Sequence, residues 1–308
     1  MPVDEALLES RASYRDERLG ITEQFVRLRT GAGQTWGVLA LPLAERRSPG
    51  WIVCHSFGLE QVDLHMTDVA LARALAAAGH PSLRFHCQGY GDADDVVTPP
   101  TPASHLRDTL AVAEEAPGLT GVPDLAFAGS RFGATVAALA AARLGSTHVV
   151  MTAPVVSGSK YVLELLRSRV YTELMGESPE TAVTVQDLKA ELATNGFVNI
   201  KGWPLHRDQV AELEGIDLVK QLDSFPGRAL VLQVSRGETP QKGLGRLAEK
   251  LRGAGAGVTL SVVNHPAAPN FGFEHFHPVA RDLLGDTTAG VNQALCERAV
   301  AWIREGPG

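Results

Sequence analysis

Leu125-Ala126-Phe127-Ala128-Gly129-Ser130-Arg131-Phe132-Gly133-Ala134 decides the fold. The first residues form an apolar run of the kind a strand shows when both of its faces are covered. The alanine-rich text over 131–143 reads as a helix. Strand and helix meet within Gly-x-x-x-Gly, so the connection is a tight turn with no loop to spare.

Working outward, the same alternation recurs on both sides. Residues 25–29 and 35–41 read as a hairpin around Gly31-Ala32-Gly33. Strands follow at 51–54, 81–85, 124–128 and 148–151, with helices at 69–78, 103–115 and 131–143 between them. Strands alternating with helices of this length mean an α/β class protein, with a mostly parallel central sheet and helices on both faces. The alternation stops over 155–225, where the text turns helical and rich in charge. It resumes with a strand at 228–234, a helix at 243–252, a strand at 258–263 and a final helix at 292–304. The chain therefore divides into a core part at 1–154, a helical lid at 155–225 inserted after the sixth strand, and a second core part at 226–308. Such a lid lies over the carboxyl edge of the sheet, where open α/β sheets bind ligands.

Composition narrows the class of partner. The 308 residues carry 28 Lys+Arg against 35 Asp+Glu, a net charge of −7, with no basic cluster, which argues against nucleic acid. No apolar run is long enough to cross a bilayer, and the start lacks the basic-then-apolar pattern of a secretory signal, so a cytoplasmic protein with no membrane partner is expected. Three cysteines without CxxC spacing argue against a disulfide framework and against a zinc site, and no metal or organic cofactor is expected. No G-x-G-x-x-G loop follows the first parallel strand.

The stretch around Arg131 resembles the nucleophile elbow, G-x-S-x-G, of the α/β-hydrolase fold. Three further segments resemble that superfamily in the right order: Val53-Cys54-His55-Ser56-Phe57-Gly58 its oxyanion loop, Leu83 to Asp92 its R-F-D-x-x-G-x-G-x-S segment, and Leu230 to Val234 with Glu238 the strand that delivers its acid. The Gly-Ser-Arg-Phe-Gly-Ala elbow, with Ala153 to Tyr161 and Leu165-Leu166-Arg167, is also similar to exosortase-associated hydrolases, in which Arg can replace the nucleophile.

The departure from the elbow pattern bears most on function. Arg131 stands where the superfamily places Ser, Cys or Asp, and a guanidinium stays protonated and cannot serve as a nucleophile. Ser130, one residue early, and Ser56, in the oxyanion loop, are the alternative nucleophiles; both are otherwise turn hydroxyls bonded to nearby backbone. A guanidinium backed by amides from Phe132 and from Ser56 or Phe57 would hold a carboxylate, an ester carbonyl or an enolate. The alternative is that Arg131 is purely structural and pairs with a lid carboxylate.

The resemblance puts the catalytic histidine in the long segment 264–278, which holds His265, His275 and His277. His275 is favoured and the other two remain open. Glu238 is the matching acid, with Glu274 as a local competitor. His55, Ser56, Phe57, Phe132, Tyr161 and Trp203 are expected to bind substrate, and His55 alternatively to brace the oxyanion loop. The resulting expectation is an enzyme acting on an O-acylated small molecule without a serine acyl-enzyme. A lyase eliminating acetate is favoured, by analogy with the superfamily's enzymes of tetronate polyketide biosynthesis, which make antibiotics. Ester or thioester hydrolysis through Ser130 or a His-activated water, and a catalytically silent binding protein, are the alternatives. A second copy of the chain, docked through lid helices as a homodimer, is a further candidate partner.

Overall fold

The computed structural model describes residues 12–96, 98–174, 183–264 and 278–306, with the backbone alone for 278–289. Three strands open the chain: β1 (Ser13–Asp16), β2 (Ile21–Arg29) and β3 (Gln34–Pro42). They precede β4 (Gly50–Cys54), α1 (Glu60–Ala77), β5 (Ser82–Phe85), α2 (Pro102–Thr120), β6 (Leu125–Ser130), α3 (Phe132–Leu144) and β7 (His148–Thr152). After an insertion come β10 (Arg228–Ser235), α8 (Lys242–Gly253), β11 (Gly257–Asn264) and α9 (Pro278–Arg304).

The nine core strands form one sheet in the order β1-β2-β3-β5-β4-β6-β7-β10-β11. β5, β4, β6, β7, β10 and β11 run parallel, and β1, β2 and β3 add an antiparallel wing. Alternation along β4 shows how the core is split. Trp51 and Val53 pack with Leu71, Leu75, Leu295 and Trp302 on the face covered by α1 and α9. Ile52 and Cys54 face the other way, into a cluster with Phe127, Val136, Leu247 and residues of the insertion. From β4 the chain turns to β5 on one side and reaches β6 on the other. The carboxyl ends of β4 and β6 therefore flank the switch point where such sheets hold ligands.

The sequence expectation needs three corrections. β1 is an additional edge strand, so the insertion follows the seventh strand and not the sixth. The insertion itself, expected to be purely helical, holds α4 (Gly158–Leu174), α5 (Val185–Asn195), α6 (Arg207–Glu214) and the short α7 (Leu218–Gln221), but also a hairpin of β8 (Phe197–Ile200) and β9 (Trp203–His206). Lys201 and Gly202 close that hairpin, both with positive φ, as a two-residue turn that follows the sheet twist requires. Finally, α1 and α9 begin well before the expected 69 and 292. The ends of the insertion are drawn together by a bridge between Ser157 and Asp217, and Gly158 lies so close to the Leu213 carbonyl that a Cβ would overlap it. Among the described residues, no helix is long and apolar enough to cross a membrane.

Candidate functional site

The elbow forms because two glycines let three backbone segments close on one another. A Cβ on Gly129 would stand 2.5 Å from the Gly133 carbonyl carbon, and one on Gly133 would overlap the Cys54 carbonyl oxygen. Between them Arg131 takes φ 52° and ψ −121°, a conformation that side chains rarely adopt and that persists only where the surroundings impose it. Its N–H donates to the Thr152 carbonyl at 2.8 Å, tying the turn to β7. Ala153, the first residue after β7, is also left-handed, at φ 46°.

The Arg131 guanidinium is held by two carboxylates. Nε donates to Glu60 Oε1 at 3.0 Å and Nη2 to Glu164 Oε2 at 2.6 Å. Glu60 comes from the first turn of α1 and its side chain is 2% exposed, whereas Glu164 projects from α4 and is 47% exposed. The other oxygen of Glu60 accepts hydrogen bonds from Ser56 Oγ and from the Tyr161 hydroxyl, each at 2.7 Å. Every oxygen of this buried carboxylate is thus engaged, as its burial demands. Burial opposes the charge on Arg131, but Glu60 and Glu164 more than offset it, so the guanidinium stays firmly protonated. Tyr161 is held neutral far above its usual range by burial and by the neighbouring Glu60. Its ring lies under the guanidinium, 5.7 Å from Cζ to centroid.

The oxyanion loop closes the back of the site. The Phe132 N–H, expected as an oxyanion donor, donates to Ser56 Oγ at 3.1 Å, and Ser56 passes its own proton toward Glu60. His55 braces this loop: Nδ1–H donates to the Ser56 carbonyl at 2.7 Å, and Nε2 accepts the Cys87 N–H at 2.9 Å. The Gly58 N–H donates to the Tyr90 hydroxyl at 3.0 Å, and Trp203 stacks on Tyr90 with centroids 5.2 Å apart.

Arg131, Tyr161 and Glu164 form one wall of a cleft of about 510 Å³ at the carboxyl ends of β6, β7 and β10, with Lys160, Gln233 and Arg246 around it. The expected site residues divide accordingly. Arg131 and Tyr161 face the cleft. Ser130 does not: it ends β6, is 1% exposed, and its hydroxyl has no partner among the described residues. Ser56, Phe57, Phe132 and His55 are buried behind the elbow, and Trp203 lies against the oxyanion loop, lining a separate small cavity with Phe57. None of these five residues lines the large cleft. Glu238 is exposed in the loop after β10 and is not part of the cleft wall. His265, His275, His277 and Glu274 lie outside the described residues.

Sequence reading missed Glu60 and Glu164. Glu60 stands four residues after Ser56, at the start of α1, and Glu164 three residues beyond Tyr161 on α4, but neither spacing by itself points to Arg131. The arrangement can hold negative charge at the Arg131 guanidinium and offers a carboxylate, Glu164, beside it. It offers no nucleophile at the elbow.

One group of potential metal ligands occurs among the described residues: His55, Cys87 and His105, with ligating atoms within 4.8 Å of one another. His55 Nε2 is already occupied by the Cys87 N–H, which leaves too few ligands for a structural zinc site. His105 is fully buried, donates Nδ1–H to the Thr101 carbonyl at 3.0 Å, and is pushed down to about 4 by burial. Burial, with His105 and His86 beside it, lowers His55 well below the usual range too. Both rings are neutral in the folded chain, while in the unfolded chain they bind protons near pH 6.5. Their contribution to stability is therefore present above pH 6.5 and is lost as pH falls below it, for His105 over the range down to about 4 and by up to about 1.4 kcal/mol per pH unit. Urea midpoints should fall between pH 7 and pH 5, and His105→Leu should make that fall shallower. A pH dependence unchanged by the substitution would contradict this assignment.

The strand order, the elbow and the insertion after β7 define the α/β-hydrolase fold. Solved structures agree across most of the chain. Est1E from Butyrivibrio proteoclasticus, in a structure with ferulic acid bound, superposes with a TM-score of 0.56 at 16% identity, over 86% of this chain and 99% of that one. An esterase from Pyrococcus furiosus gives a TM-score of 0.58 at 13% identity, over 89% and 94%. DcsB, in complex with its substrate analogue, gives 0.54 at 16% identity, over 88% and 99%. No protein-family model matches the sequence, and neither does any curated protein.

Proposed function

We propose that the protein is an enzyme acting on an O-acylated small molecule without forming an acyl-enzyme at its elbow. The observation that carries this reading is the elbow itself: its strained geometry is intact, yet the side chain it presents to the cleft is a guanidinium fixed between Glu60 and Glu164. A fixed cation at the point where acyl chemistry occurs on this fold stabilises an oxygen that gains negative charge, and does so without a covalent bond. The insertion acts as a lid, since α4 supplies Tyr161 and Glu164.

Elimination of acetate fits these parts best. A base removes the proton on the carbon next to the acyloxy-bearing carbon, the electron pair becomes the new double bond, and the C–O bond breaks with its electrons leaving on acetate. Arg131 binds the departing carboxylate. The base is a histidine of the 265–277 segment on the resemblance, or Glu164 among the described residues. Tetronate-type polyketide intermediates are the substrate class this reading suggests. A binding protein without turnover is the second reading, supported by the full engagement of Arg131 and of the Phe132 amide within the chain.

The test combines a fluorophosphonate with an O-acetyl substrate in heavy-oxygen water. The expected result is no adduct on Ser130 or Ser56, with an alkene and acetate free of solvent oxygen as products. Acetate carrying solvent oxygen means hydrolysis, and an adduct on either serine restores the acyl-enzyme route. Binding with no turnover of any acyl compound supports the second reading.

A further inference from the structure

The charges around the cleft differ from those of the chain as a whole. The protein carries a net −7, yet the ionisable side chains on the described cleft wall are Arg131, Lys160, Arg236 and Arg246 against Glu164 alone. Arg131 is matched on the floor by its two carboxylates. The excess positive charge therefore stands on exposed side chains from two separate elements that line the cleft: Lys160 from α4 in the insertion, and Arg246 from α8 in the core. Neither makes an ion pair among the described residues, whereas Arg169 of the insertion pairs with Glu173 and Glu191, and Lys220 with Asp217. Cations that line one cleft repel one another, and an anion bound among them relieves that repulsion.

We infer that the substrate carries a phosphate group remote from the acyl function, and that Lys160 and Arg246 bind this phosphate in the cleft while the acyl end reaches Arg131. This inference rests on the proposed acyl chemistry for its orientation. A phosphate suits the pair because a guanidinium fork and an ammonium from separate elements can share its oxygens, and because a dianion uses both charges. A neutral acyl compound would leave them solvated and contribute nothing.

A matched pair of ligands tests it: S-acetyl phosphopantetheine and S-acetyl pantetheine, which differ by the phosphate alone. Binding is the readout, because a thioester has no acyloxy group to eliminate. With the full chain at low salt, the calorimetric Kd should favour the phosphorylated compound at least tenfold, and the preference should shrink as salt rises. In the Lys160→Ala/Arg246→Ala variant the ratio should fall to about one. A ratio of Kd values is independent of the fraction of folded protein, so partial misfolding of the variant does not imitate this result. Equal Kd for the two compounds, no binding of the phosphorylated compound, or a preference that survives in the double variant overturns the inference.

Discussion

Replacing Arg131 with Met should destabilise the folded chain by about 3–5 kcal/mol, because it strands the buried carboxylate of Glu60 without its counter-charge. Met keeps the length and apolar stem of the side chain, so the loss reports charge and hydrogen bonding and not a cavity. The hydroxyls of Ser56 and Tyr161 still reach Glu60 in the variant, but two neutral donors do not replace a guanidinium. Adding Glu60→Gln to Arg131→Met should recover most of the loss, since the stranded charge is then gone. Denaturant titration of the two variants and the parent measures both effects. A loss below about 1 kcal/mol for the single variant would mean that Glu60 is already neutral or hydrated, and the electrostatic account of the elbow would fall. Turnover of an acyl substrate should drop in parallel by a factor of about a hundred or more, the scale on which a fixed donor to a developing anion acts.

The second large effect is expected at Gly133. An added Cβ there meets the Cys54 carbonyl oxygen and comes within 2.9 Å of the His55 carbonyl carbon, both backbone atoms that no rotamer change can move. Gly133→Ala should therefore lift α3 away from β4, at about 3 kcal/mol or more, the upper end of what overpacking a core produces. Because the Phe132 amide rides on the first turn of α3, its bond to Ser56 should lengthen or break, with its amide proton exchanging faster in hydrogen exchange. Gly118 is the control: it sits within α2 with open space around it, and Gly118→Ala should be neutral or stabilising by up to about 1 kcal/mol. Equal stability of the two alanine variants would show that the elbow tolerates more room than its contacts imply.

The central strands, the elbow and its unusual arginine were legible because each depends on local text. Apolar runs between glycines can be little else than buried strands, and a Gly-x-x-x-Gly junction leaves one residue at the apex. Glu60 was hidden for a physical reason. The first half of α1 turns Glu60, Asp63, Thr67 and Asp68 inward, so the apolar period that marks a helix is absent until Val69. The early part of α9 was missed likewise: Gly285, Thr287, Thr288 and Gly290 are weak helix formers, and the backbone is helical regardless. The hairpin of β8 and β9 offers four residues per strand, one of them Pro204, too little alternation to stand out within charged helical text. Glu164 was one acid among many in the insertion, and its significance comes from α4 packing over the elbow, which no local pattern encodes.

Ser56 gives the site a property that its residue list does not convey. By placing its own oxygen on the Phe132 amide, the chain supplies a permanent internal rival for any acyl oxygen. Binding at that amide is then an exchange and not an addition: the incoming oxygen gains one hydrogen bond while Ser56 gives one up, and the net gain is the small difference between them. Discrimination consequently passes to groups at the cleft itself, where Arg131, Lys160 and Arg246 lie. On the proposed reading, a site built this way would grip the charged parts of a ligand and release a neutral carbonyl readily, the balance suited to chemistry in which an anion departs.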